Sequence, residues 1–267
     1  MHPVSDDESG NELHARRRRG IYLLPNLLTT GGIFAGFFSI VAAIDGNFAA
    51  AGWATVVAFV LDGMDGRVAR LTNTESDFGK EYDSLADMVS FGLAPAIITY
   101  QWGVVRLAEY GVVWGRVGWL ATFLYAVAAA FRLARFNTMT HKADARYFVG
   151  LPSPTAAGAV VAMVWLASTY EVTGLTGLVA GIGVTAAVAL LMVSHFRFRS
   201  FKALRLSRRV RFANLLLIPF ALILISLAPP IVFFAVAITY TGSGPALWLI
   251  ARLRQRRKPD DDESMAA

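Results

Sequence analysis

The chain has 267 residues, 55% of them apolar, no cysteine and a formal net charge of +6. The absence of cysteine excludes disulfides and thiolate chemistry. Repeated apolar stretches of ~20 residues, the length that crosses a bilayer core, exclude an ordinary soluble domain. The positive charge does not point to nucleic acid, because the basic residues fall in segments between the apolar stretches.

Taken in chain order, residues 1–20 read as a polar N-terminal tail ending in the basic run Arg16 to Arg19. The apolar run that follows, Ile21 to Ile44, is longer than the ~7–15 residues of a signal-peptide core, so it reads as a retained first span. Further spans are expected at 48–70, 80–101, 116–136, 153–170, 174–195, 212–228 and 230–251, the first being placed at 24–44. The boundary at Pro229 and Pro230 is the least regular of these. The expectation is an all-α integral membrane protein of about eight transmembrane helices. It comprises a membrane domain over residues 21–251 and a charged C-terminal tail over 252–267, with both termini on one side.

Charge supports this count. With eight spans, every Lys and Arg except Arg106 and Arg116 falls on the side of the termini. Basic enrichment marks the cytoplasmic face and suits an anionic inner leaflet. Most of the 23 glycines read as packing residues that let membrane helices approach closely. His141 and His195 read as solvated loop residues. The acids Asp6, Asp7 and Asp260 to Glu263 read as tail charges.

One stretch breaks the apolar pattern: "LDGMDGRVARLTNTESDFGKEYDSLADMVSFG", residues 61 to 92. Asp62 and Asp65 share one face near the end of the second span; Asp83 and Asp87, a turn apart, share a face near the start of the third. Ionised carboxylates in a membrane helix cost a few kcal/mol each. Four that converge also repel one another. Arg67 and Arg70 offset only part of this. Carboxylate oxygens are hard ligands for magnesium, manganese or calcium, and such a cation is suited to gripping a diphosphate. Gly66, Ala69 and Gly79 would let a bulky ligand approach backbone. Interhelical salt bridges alone are the plainer alternative.

The run Asp62-x2-Asp65-Gly66-x2-Ala69-Arg70-x8-Gly79-x3-Asp83-x3-Asp87 resembles, without gap or substitution, the signature of the CDP-alcohol phosphatidyltransferases. The resemblance implies a membrane enzyme that moves a phosphatidyl group from CDP-diacylglycerol to an alcohol and releases CMP. It implies two divalent metals, magnesium or manganese, on Asp62, Asp65, Asp83 and Asp87. It further implies Gly66, Ala69, Arg70 and Gly79 around the cytidine diphosphate, Asp87 as general base, and a possible homodimer. By the same resemblance Pro25 and Asn26, in "LLPNLLTT", and Ser76 stand near the nucleotide; capping of helix starts is the plainer reading for Pro25 and Asn26.

The acceptor is suggested by "AFRLARFNT" (Ala130 to Thr138), "YFVGLPSPTAAG" (Tyr147 to Gly158) and "EYDSLADMVSFGLAPA". Together these resemble the bacterial integral-membrane phosphatidylserine synthases, over most of residues 20 to 170. The implied substrates are CDP-diacylglycerol and L-serine, with membrane lipids around them, in a bacterial inner membrane and with the site facing the cytoplasm. Serine carries a carboxylate and needs a cationic partner. Arg132 and Arg135, with Asn137 beside them, end the fourth span at the depth expected of the aspartates, and Arg suits bidentate carboxylate or phosphate recognition. Whether they bind serine or phosphate stays open, as does a simple anchoring role. The alternatives are glycerol phosphate, inositol phosphate or choline as acceptor, a cation or proton transporter, which would place its acids nearer the midplane, and a non-catalytic scaffold.

Overall fold

The structure, a computed structural model, describes residues 6–139, 147–199 and 212–256. His141 and the end of the C-terminal tail lie outside the described residues, as does most of the basic segment after Arg199. The chain is helical almost throughout. α1 is Asp6–Ile44, α2 Phe48–Thr72, α3 the continuous run Asp77–Glu109, and α4 Val112–Met139. α5 is Ser153–Thr169, α6 Leu175–Val193, α7 Phe212–Leu227 and α8 Pro229–Arg256. Six of these segments are long and apolar enough to cross a membrane; Ser153–Thr169 is a shorter apolar helix. This is an all-α membrane protein, and the break before Pro229 falls where the paired prolines placed it.

Three local features depart from the sequence reading. First, α1 continues backwards from the apolar run into the polar segment and carries Pro25 inside it. Proline removes one backbone donor, a loss membrane helices tolerate where neighbouring groups cover the freed carbonyl; Pro25 is buried. Second, α3 contains two π-helical stretches, Met88–Leu93 and Tyr100–Val104. Pro95, just beyond the first, has no N–H to donate to the turn before it. The Tyr125 hydroxyl of α4 donates to the Phe91 carbonyl in that turn at 3.1 Å. Third, Tyr147–Val149 (β1) and Arg197–Arg199 (β2) form a short antiparallel ladder, with Phe148 opposite Phe198.

The helices pack through small residues. α1 lies along α2, with Ser39 Oγ bonded to the Ala51 carbonyl at 2.8 Å and to Thr55 Oγ1 at 3.0 Å. α1 also crosses α3 so closely that a Cβ on Gly36 would stand 2.5 Å from Ser90 Oγ and 2.8 Å from Ser90 Cα. Ser90 Oγ donates to the Gly32 carbonyl at 3.1 Å and ties the same crossing. Two apolar cores follow. One holds Ile98, Trp102, Val164 and Ile182; the other holds Tyr125, Leu151, Val160, Met192 and Phe198. The second joins α4, α5, α6 and α8 to the ladder.

Candidate active site

Asp62 and Asp65 stand near the C-terminal end of α2. That helix is closed by Asn73 in the left-handed region (φ 51°), whose N–H reaches the Ala69 and Arg70 carbonyls, a common way to satisfy the orphan carbonyls of a last turn. Ser76 then caps α3: its Oγ accepts from Gly79 N at 3.0 Å. The short link between the caps turns the chain back, both helices pack on α1, and Asp83 and Asp87 come opposite Asp62.

One carboxylate oxygen from each of Asp62, Asp83 and Asp87 lies within 4.8 Å of the others. Hard divalent cations bind oxygen at about 2.0–2.6 Å, so oxygens on opposite sides of one ion stand about 4–5 Å apart. The spacing and chemistry of the three groups therefore fit a divalent cation. The Asp62 and Asp87 carboxylates are close neighbours. Asp65 is turned differently. It is 5% exposed, accepts from Thr29 Oγ1 at 2.8 Å and from Gly66 N, and lines the same cleft. The cleft has an empty volume of about 200 Å³ including its mouth, and Thr29, Gly32, Ala58, Ser90 and Phe91 complete its wall.

Of the residues expected around the nucleotide, three meet one another. A Cβ on Gly79 would come 3.1 Å from Ser76 Oγ and 3.8 Å from Asn26 Oδ1, so Asn26, Ser76 and Gly79 converge. Nothing stands within 4 Å of a Cβ on Gly66, which leaves its surface open. Pro25 is held one turn from Thr29, whose hydroxyl also reaches the Pro25 carbonyl at 3.0 Å. Ala69 is occupied in the α2 cap. Arg67 and Arg70 are exposed, and among the described residues neither is ion-paired to the aspartates.

The fourth-span residues separate. Arg132 donates from Nη1 to Ser153 Oγ at 2.6 Å, and its electrostatic neighbours are Asp87, Tyr125, Tyr240 and Asp62. Among the described residues no salt bridge closes between Arg132 and Asp87, so a gap separates guanidinium from carboxylate. Arg135 shows no side-chain bond to this group. Asn137 Nδ2 donates to Ser84 Oγ at 2.9 Å and fastens α4 to α3. His195 is an exposed loop residue.

Sequence reasoning missed Thr29, Ser153 and Tyr240. Thr29 lies in the quoted "LLPNLLTT", just beyond the Pro25 and Asn26 that were singled out, and Ser153 lies inside the quoted "YFVGLPSPTAAG", of which no residue was assigned a role. Tyr240 carries no local signal.

Comparison with known proteins accords with this geometry. A family model described as CDP-alcohol phosphatidyltransferase matches residues 22–196. A CDP-diacylglycerol–serine O-phosphatidyltransferase of Helicobacter pylori is 43% identical over 185 residues, 69% of this chain and 75% of that protein. One of Mycobacterium tuberculosis is 34% identical over 233 residues, 84% of this chain and 78% of the relative. An archaetidylserine synthase of Methanothermobacter thermautotrophicus is 33% identical over 177 residues, 66% of this chain and 69% of the relative.

Proposed function

Because the chain belongs to the CDP-alcohol phosphatidyltransferase family, we propose that it transfers the phosphatidyl group of CDP-diacylglycerol to the hydroxyl of L-serine, giving phosphatidylserine and CMP. The observation that carries this reading is the convergence of Asp62, Asp83 and Asp87 within 4.8 Å, with Arg132 as an electrostatic neighbour of Asp87. The names of the relatives support serine as the acceptor.

The roles divide by chemistry. Asp62, Asp83 and Asp87 hold divalent metal, magnesium or manganese. Asp65 serves a second ion of the pair, by the family pattern. Bound there, the metal supplies positive charge that grips diphosphate oxygens and stabilises the departing phosphate. Asn26, Ser76 and Gly79, with the open backbone at Gly66, receive the cytidine diphosphate, and Arg70 and Pro25 flank it. Asp87 accepts the proton of the serine hydroxyl as that oxygen bonds to the phosphatidyl phosphorus. The bond from phosphorus to the CMP oxygen breaks and CMP leaves. Arg132 takes the serine carboxylate. In serine the hydroxyl and the carboxylate are two carbons apart, which suits a base and a guanidinium separated by a gap. Arg135 and Asn137 support this end of α4. The membrane domain over residues 21–251 sits in a bacterial inner membrane with the site and both charged tails at the cytoplasmic face.

The test offers the purified chain CDP-diacylglycerol with serine, glycerol phosphate, inositol phosphate or choline, and identifies the lipid product and CMP. Phosphatidylserine from serine alone is expected. Asp83→Asn should abolish transfer while leaving the protein inserted, and chelation should do so reversibly. A different lipid product would overturn the acceptor; full activity in excess chelator would overturn the metal assignment.

A further inference from the structure

The family match ends at residue 196, yet α8, far beyond it, reaches the site. Tyr240 of α8 is an electrostatic neighbour of the Arg132 guanidinium. Its ring stacks on Phe198 of β2, with centroids 5.9 Å apart and planes at 28°. Phe198 is fully buried, and it gains that position because Gly244 of α8 has no side chain: a Cβ there would collide with the Phe198 ring. The other brace on Arg132, Ser153, is fully buried at the start of α5. The turn before it is fixed by Gly150 (φ 83°), whose N–H donates to the Phe196 carbonyl at 2.9 Å, and by Leu151 N donating to the Leu191 carbonyl at 3.0 Å. The ladder therefore positions both braces at once, Phe198 under Tyr240 and the turn that leads into Ser153.

An unbraced Arg at a helix end would swing between the carboxylates and the water or headgroups beside it. A guanidinium has five donors in a fixed fork. Ser153 Oγ, an acceptor at 2.6 Å, occupies one of them. The Tyr240 phenol of α8, an electrostatic neighbour of the guanidinium whose ring is stacked on Phe198, acts on it through the hydroxyl. Asp87 is the carboxylate that acts on the guanidinium most strongly. A flexible cation would neutralise Asp87 directly and deprive the reaction of its base; a braced one is held off that carboxylate and kept available to an incoming anion.

We propose that Ser153 and Tyr240 are positioning residues that hold Arg132 toward the acceptor's carboxylate, so that α8 and the β1–β2 ladder form part of the acceptor-selecting half of the site. This rests on the serine reading above. The prediction concerns how the kinetic constants split. Ser153→Ala and Tyr240→Phe should each raise the KM for serine roughly tenfold, the scale seen when outer groups that orient a ligating side chain are lost. The KM for CDP-diacylglycerol should stay unchanged, and Ser153→Thr, which keeps the hydroxyl, should restore the wild-type value. In an Arg132→Gln background neither substitution should add to the loss, because both act through the guanidinium.

The test measures initial rates on the full chain in lipid, varying each substrate in turn. Unchanged serine KM in both variants overturns the proposal, as does an equal loss with both substrates or full additivity with Arg132→Gln. A wild-type chain that makes no phosphatidylserine sinks the reaction assignment, and this proposal with it. A wild-type chain that makes it, with indifferent variants, sinks the positioning role alone.

Discussion

Thr29 illustrates what a single side chain adds to the acidic group. Most threonines in these helices spend their hydroxyl on their own backbone, four residues back, as Thr55, Thr99 and Thr185 do. Thr29 has that acceptor too, but it also reaches Asp65 at 2.8 Å, and a bond to a carboxylate is the stronger of the two. Thr29→Val keeps the shape and removes the donor. It should lower kcat/KM for CDP-diacylglycerol by about tenfold, while Thr29→Ser stays near wild type. Equal rates in all three proteins would show that Asp65 holds its place unaided. The aspartates were legible in the sequence because their spacing is fixed and their presence in apolar helices demands a reason. Thr29 was not: a hydroxyl in a membrane helix is common, and its partner lies on another helix. Arg132 was legible only as one of a pair, and packing against Ser153 separates it from Arg135.

At the scale of the element, α3 is the informative case. Hydropathy placed the span, because apolar length is a property of composition. It carried no register, so the π-helical stretch beginning at Met88 was invisible. That stretch starts one residue after Asp87 and turns the helix where it leaves the acidic group. π-bulges recur at functional sites. Its support is the Tyr125 hydroxyl, buried and bonded to the Phe91 carbonyl. Tyr125→Phe leaves that carbonyl without this donor and should cost about 1–2 kcal/mol of stability, measured by unfolding in mixed micelles. An unchanged unfolding midpoint would mean that the carbonyl finds another donor. The ladder was equally illegible: each strand is three residues long, too short for alternation to register, and its pairing joins segments far apart in sequence.

For the whole molecule, the sequence reading of about eight spans meets eight helical segments among the described residues, of which six are long and apolar enough to cross a membrane. The side on which each loop lies rests on the distribution of basic residues. Reporter tags at Asn47 and at Glu171 should be periplasmic, and a C-terminal tag cytoplasmic; accessibility labelling in whole cells checks this. A periplasmic C-terminus would make the number of crossings odd and break the assignment of the basic loops to the inner face. The short link between α2 and α3 has a consequence for biogenesis. Asp62, Asp83 and Asp87 belong to consecutive helices, so a chain still attached to the ribosome owns the whole acidic group once its third helix has entered the bilayer. Arg132 arrives one helix later, Ser153 after it, and Tyr240 only with α8. On the roles proposed above, a nascent chain acquires the acidic group for cations before it acquires the residues set around Arg132.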